Sequence, residues 1–186
     1  SMSKINRSEK FVTFDETTKK LINSDPCSRA WVEVDSKAIE NNSRVLKNFI
    51  GEDCLLMAVV KADGYGHGAE TVAKSALLGG ANNLGVATLQ EGIELRQAGL
   101  YCPILILGNL TNVNELTSCF HWDLTPTLSS LREALLCQNI AESFGKKFNV
   151  QLKVDTGMTR LGCDFQDAFA FCEVIDSLDN LHLEGV

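Results

Sequence analysis

Lys61 stands where the apolar run Leu55-Leu-Met-Ala-Val-Val60 gives way to Ala62-Asp-Gly-Tyr-Gly-His-Gly68. A lysine leaving a buried strand starts half in the core, where desolvation favours its neutral, nucleophilic amine. Gly64, Gly66 and Gly68 alternate after it, so backbone amides can approach a ligand closely and feed a helix starting near Ala69. A nucleophilic amine beside an anion-binding turn is what a Schiff-base cofactor carrying a phosphate requires. The same residues also describe a surface lysine capping a strand before an ordinary turn. Spacing alone leaves both readings open.

The elements around this turn follow a regular pattern. WVEVD, residues 31 to 35, reads as a strand with Trp31, Glu33 and Asp35 on one face. Ser36 then caps a helix whose apolar positions are Ile39, Val45, Leu46, Phe49 and Ile50. Strand 55–60 leads through the glycine turn to a helix around 69–78, closed by Gly79-Gly80. A strand near 83–87 precedes Thr88-Leu-Gln-Glu91, a capping box opening a helix that ends at Gly99. Strand 104–107 follows Pro103, Asn112 with Glu115 marks the next helix start, and 123–127 reads as a strand end. A helix over about 129–143 places Leu131, Leu135 and Ile140 inward and stops at Gly145. Strand 149–154, helix 165–178 and strand 181–186 complete the series.

Six or seven strand–helix units at intervals of roughly 25 residues imply an α/β fold with a parallel sheet and right-handed crossovers. An open doubly wound sheet and a (β/α)8 barrel both fit. A barrel takes roughly 200 to 250 residues. Residues 1–28 are polar, poorly periodic and read as an extension with at most one short helix, leaving a partial barrel over 29–186. The expectation is a chain that stops before its barrel closes.

Composition narrows the function classes. A net charge of −7 without a basic cluster argues against a nucleic-acid surface. No apolar run approaches the ~20 residues that cross a bilayer, so no membrane partner is expected. Seven cysteines (27, 54, 102, 119, 137, 163 and 172) are scattered and never in CxxC spacing. That pattern suits reduced thiols in a cytoplasmic chain better than a disulfide framework or a zinc site. His121 and His182 have no motif partners, the carboxylates form no metal-like cluster, and no P-loop spacing occurs.

The string VKADGYGHG, residues 60–68, resembles the pyridoxal-phosphate lysine motif of alanine racemase. A second string, Lys153-Val-Asp-Thr-Gly-Met-Thr-Arg-Leu-Gly162, resembles another motif of that family, in the same order and at a similar distance. The resemblance runs from about Ala30 to Val186. It implies an amino-terminal (β/α)8 barrel followed by a β-rich domain absent here, a head-to-tail homodimer, and interconversion of L- and D-alanine, with D-alanine supplied for peptidoglycan. It implies that strand WVEVD packs against that second domain, so its partner is missing.

Residue by residue, the resemblance makes Lys61 the Schiff-base lysine and the proton carrier on one substrate face. It gives the cofactor phosphate to Tyr65, a phenol that bonds without demanding a charge. Arg160 would contact the cofactor's phenolic oxygen and orient substrate, a task suited to a fork that does not titrate. Met158 would line the substrate site, and His67 would be structural. Lys153 matches a lysine that many relatives convert to a carbamate (N6-carboxylysine), an anion able to pair with Arg160. Unmodified, two buried cations there would repel each other. Gly64 stands where many relatives have alanine. The second base and other cofactor contacts of the family lie beyond Val186, so the fragment is expected to be inactive. Rival readings are a Schiff-base aldolase using Lys61 or Lys153, a pyridoxal-phosphate barrel without racemase activity, and a non-catalytic scaffold.

Overall fold

The computed structural model describes residues 4–7, 10–13, 29–34, 39–52, 54–60, 68–153 and 165–185. The chain divides into two compact units, Ser1–Ile104 and Leu105–Val186.

In the first unit the strands are β1 (Lys4–Arg7), β2 (Lys10–Thr13), β3 (Arg29–Val34), β4 (Leu55–Val60) and β5 (Asn83–Val86). The helices are α1 (Ile39–Ile50), α2 (Gly68–Leu78) and α3 (Leu89–Gln97). β3 runs parallel to β4 over six registered pairs, from Arg29↔Leu55 to Val34↔Val60, and β4 runs parallel to β5. Apolar residues fill β4, and Leu56 to Val60 are all buried, the pattern of a parallel strand covered on both faces.

Two expectations fail at the amino terminus. The residues read as an extension with at most one short helix form a hairpin, β1 antiparallel to β2. β1 in turn pairs antiparallel with β3, Ile5 opposite Val32, so β3 has ladder partners on both edges instead of lacking one. Short mixed-polarity runs such as KINR and KFVT carry little periodic signal, which hides strands that lie at a sheet edge.

α2 ends as its Gly-Gly pair requires. Ala81 N–H reaches back to Ala76 O, and Gly80 takes φ +102°, a left-handed value that disfavours a side chain. A Cβ on Gly80 would stand 2.9 Å from Lys47 Cγ. Lys47 is held there because its Nζ donates to Cys54 O at 2.7 Å and to Asn82 Oδ1 at 3.1 Å. Asn82 Oδ1 also accepts from Leu56 N, so one lysine and one asparagine fix the foot of β4. At α3, Thr88 caps Glu91 N–H as expected, but Glu91 Oε2 reaches Ala87 N–H, one residue before the cap.

The second unit holds β6 (Ile104–Asn109, beginning at the boundary), β7 (Thr125–Leu128), β8 (Phe148–Leu152) and β9 (Leu181–Gly185), all parallel to their neighbours. Between them run α4 (Val113–His121), α5 (Leu131–Phe144) and α6 (Phe165–Asp176). From β4 to β8 each strand is followed by a helix, the alternation of a (β/α) barrel segment.

α5 corrects a sequence expectation. Ile140 is buried, but Leu131 and Leu135 are 44% and 46% exposed, and the core stripe is Ala134, Cys137 and Ala141. A capping box sets this phase: Ser130 caps Glu133 N–H, and the buried Glu133 carboxylate accepts from Ser129 N, Ser129 Oγ and Ser130 N. With Glu133 turned inward, the stripe of small side chains faces the core and the leucines flank it. Val45 on α1 is likewise 47% exposed.

The cysteines are not all reduced. Cys54 is disulfide-bonded and buried, whereas Cys102, Cys119, Cys137 and Cys172 are free.

Candidate functional site

Each candidate motif begins where a parallel strand of its own unit ends. β4 delivers residue 61 at the carboxyl end of a fully buried run, and α2 resumes at Gly68. Lys61, Tyr65 and His67 lie between them, outside the described residues, as do Met158 and Arg160. Strand carboxyl ends are where α/β folds carry their ligands.

The opening of α2 suits an anion. Its first backbone N–H groups have no intrahelical partner. Among the described residues nothing lies within 4 Å of the position a Gly68 Cβ would take, so the first turn is open to an approaching group. Glu70 is engaged by Lys74 on the same helix.

β8 is built differently. Phe148 stacks on Phe120 with ring centroids 4.3 Å apart and meets Phe144 edge-on, so Phe148, Val150 and Leu152 face the helices. Asn149, Gln151 and Lys153 alternate to the other face. Gln151 is buried and registers with Thr127 of β7, which is also buried. Thr127 Oγ1 donates to Ile106 O at 2.7 Å, beside the register shift between β6 and β7. This polar row was not singled out in the sequence, although the alternation in FNVQLK could have revealed it.

Lys153 caps the row. Its backbone N–H donates to Leu128 O at 2.8 Å, fixing the main chain, while the residue itself is exposed. Among the described residues no group of three His, Cys, Asp or Glu side chains could hold a metal ion, and no helix is long and apolar enough to cross a membrane.

Comparison with known proteins matches the two motifs to one family. A family model described as alanine racemase, N-terminal domain, matches residues 34–186. The chain is 61% identical over 170 residues to an alanine racemase of Prochlorococcus marinus, covering 91% of this chain and 44% of that protein. It is 49% identical over 158 residues to the alanine racemase of Synechocystis, covering 85% and 42%. The solved alanine racemase of Clostridium difficile superposes with a TM-score of 0.69 at 36% identity, over 83% of this chain and 40% of that one. The chain thus spans less than half the length of the curated relatives it matches, within their barrel portion, and it belongs to the alanine racemase family through that family's N-terminal domain.

Proposed function

We propose that this chain supplies the cofactor-holding part of a pyridoxal-phosphate-dependent racemase interconverting L- and D-alanine, with D-alanine destined for peptidoglycan. The observation that carries this reading is the position of residues 61–67 in the chain, between a parallel strand buried from Leu56 to Val60 and a first helical turn that is open among the described residues. An aldehyde and a phosphate on one small molecule fit that pair of features. Lys61 would hold the aldehyde carbon through Nζ, with Tyr65 and the α2 amides on the phosphate. Arg160 would hold the phenolic oxygen and orient substrate, with Met158 beside it. A relative from Clostridium difficile solved in complex with cycloserine supports an amino-acid-like ligand for this family.

When bound, pyridoxal phosphate supplies an electron sink that lowers the cost of removing the α-proton. Lys61 Nζ carries that proton on one face of the substrate, and its exit from the buried β4 run favours the neutral amine this needs. Lys153, exposed at the end of β8, keeps an amine accessible to carbon dioxide; as a carbamate it would present negative charge to Arg160. The homodimer and the cytoplasmic location expected from the resemblance belong to the same proposal. Because a two-base exchange needs a second proton carrier on the opposite face, these 186 residues alone should not racemise alanine.

The test is to incubate the chain with pyridoxal phosphate, reduce with borohydride and map the adduct by peptide mass spectrometry. An adduct on Lys61 alone is expected, and its loss in Lys61→Ala. Label spread evenly over the lysines would sink the assignment. In a longer protein containing this chain, Lys61→Ala should lower racemisation at least about a thousandfold.

A further inference from the structure

A cleft of about 440 Å³ opens in the second unit, between the segment leading into α4 and the first half of α5. We propose that it binds a small aliphatic carboxylate, with the carboxylate on Arg132 and the chain along Leu135 and Leu136. This does not rest on the cofactor reading above, and no residue of the cleft belongs to either motif.

The apolar part of the cleft comes from both helices. Val113 of α4 is 51% exposed, Leu135 of α5 is 46% exposed, and Leu136 beside it is half-buried. The capping box of α5 leaves them there, because it turns Ala134, Cys137 and Ala141 to the core instead. Branched side chains held at the surface around a concavity lose little water until something apolar covers them. A mostly apolar cleft of this size with a few polar groups is the usual form of a small-molecule site.

Charge selects the class of ligand. Arg132 lines the cleft, is exposed, and has no carboxylate partner among the described residues. The nearby acids are committed elsewhere. Glu133 is buried, and its carboxylate accepts from Ser129 N and Ser130 N. Glu115 accepts from Asn112 Nδ2, while Asn112 Oδ1 accepts from Glu115 N–H at 2.8 Å. The cleft therefore offers an uncompensated cation on a chain whose net charge is −7. A guanidinium fork can hold a carboxylate through two parallel N–H···O bonds.

Spacing along α5 sets the ligand's polarity. Arg132, Leu135, Leu136 and Asn139 stand at i, i+3, i+4 and i+7, which is one helical face. The charged end and the Asn139 amide are thus about 10 Å apart along the axis, with the two leucines between them. A bare anion would leave those leucines in water. An aliphatic chain attached to the carboxylate covers them, and each buried methylene should tighten binding roughly two- to fourfold.

The test is to titrate the isotope-labelled chain with sodium octanoate while following its amide resonances by NMR. Saturable shifts centred on residues 111–113 and 132–139 are expected, with a Kd of about 1 mM or tighter. Butanoate should bind at least about tenfold more weakly, for want of four methylenes. Octan-1-ol, which keeps the chain and loses the charge, should also bind at least about tenfold more weakly. Arg132→Gln should lose about tenfold in octanoate affinity, yet melt as the parent does because the residue is exposed. Shifts spread over the whole surface, equal affinity for octan-1-ol, or unchanged affinity in Arg132→Gln would overturn the proposal. So would movement of the same resonances when the ligand-free chain is diluted, since a second copy would then cover the cleft.

Discussion

β4 and β8 each hand the chain to a motif, yet they are built on opposite plans. In β4 every side chain is apolar, and Leu56 to Val60 are buried, so protein presses on both faces of the strand. In β8 the buried Phe148, Val150 and Leu152 alternate with Asn149, which is exposed, and Gln151, which is buried beside Thr127. A strand covered on both sides holds its end rigidly in a low-dielectric setting, the condition that keeps an amine neutral. A strand with one polar face can supply hydrogen bonds toward charged groups. The proposed nucleophile follows the strand of the first plan, and the proposed charge-handling residues follow the strand of the second.

The largest effect should come from placing a charge in β4. Ala58 is fully buried, and Ala58→Asp leaves a carboxylate without water. It should cost more than about 4 kcal/mol, enough to prevent folding. Asn149→Asp on β8 should change stability by less than about 0.5 kcal/mol. Urea denaturation of both variants checks the pair, and similar costs at the two sites would erase the contrast.

Next come the glycines that end the helices flanking these strands. Gly80 combines φ +102° with Lys47 Cγ 2.9 Å from a would-be Cβ. Lys47 cannot swing away freely, because its Nζ is bonded to Cys54 O and Asn82 Oδ1. Gly145, at the end of α5 before β8, has φ +68° and open space around its would-be Cβ. Gly80→Ala should therefore cost about 2 kcal/mol and Gly145→Ala about 1 kcal/mol. Adding Lys47→Ala to Gly80→Ala removes the Cγ clash but also the bonds of Lys47 Nζ to Cys54 O and Asn82 Oδ1, so it should not restore the parent stability. Thr127→Val is smaller again: losing the hydroxyl bond to Ile106 O should cost about 1 kcal/mol by thermal melting.

How legible each region was follows from the same physics. The bounds of β4 were legible, because a six-residue apolar run between a capped helix and a glycine turn has few alternatives, although Leu55, which reads as buried, is exposed. The caps at Thr88, Asn112 and Gly145 were also legible, since each uses a side chain or backbone angle that few residues supply. The hairpin of residues 4–13 was missed because its strands carry no two-residue alternation strong enough to show. Leu131 and Leu135 were placed inward because they are large, whereas the capping box turned Ala134, Cys137 and Ala141 to the core. The cysteine reading failed at Cys54 for a related reason: pairing depends on which thiols the fold brings together, which spacing along the chain does not reveal. At the candidate site the motifs identified the family, but the row of Thr127 and Gln151 emerged only once β7 and β8 were in register.

The thiols offer the finest distinction between the two regions, because Cys54 at the foot of β4 is oxidised while those on the helices before β8 are free and buried. Burial pushes the Cys137 thiol up from its ordinary value of 9.0 to about 12, with the nearby Glu133 carboxylate adding to the rise. Burial likewise raises Cys119, helped by Cys137 and Asp123, and its thiol also donates to Leu124 O at 3.3 Å. In the unfolded chain these thiols ionise near pH 9, whereas the folded chain keeps them protonated. Between pH 9 and 12 the native state therefore binds more protons, and stability falls as pH rises. The contribution is fully present below pH 9. By pH 10 Cys137 alone should have lost on the order of 1 kcal/mol of it. Cys137→Ala shifts stability at every pH through lost packing, but it should also flatten the decline between pH 8 and 10 by that amount. If its denaturation curves fall with pH as steeply as those of the parent chain, Cys137 ionises in the folded state, and the core behind β8 is wetter than its burial indicates.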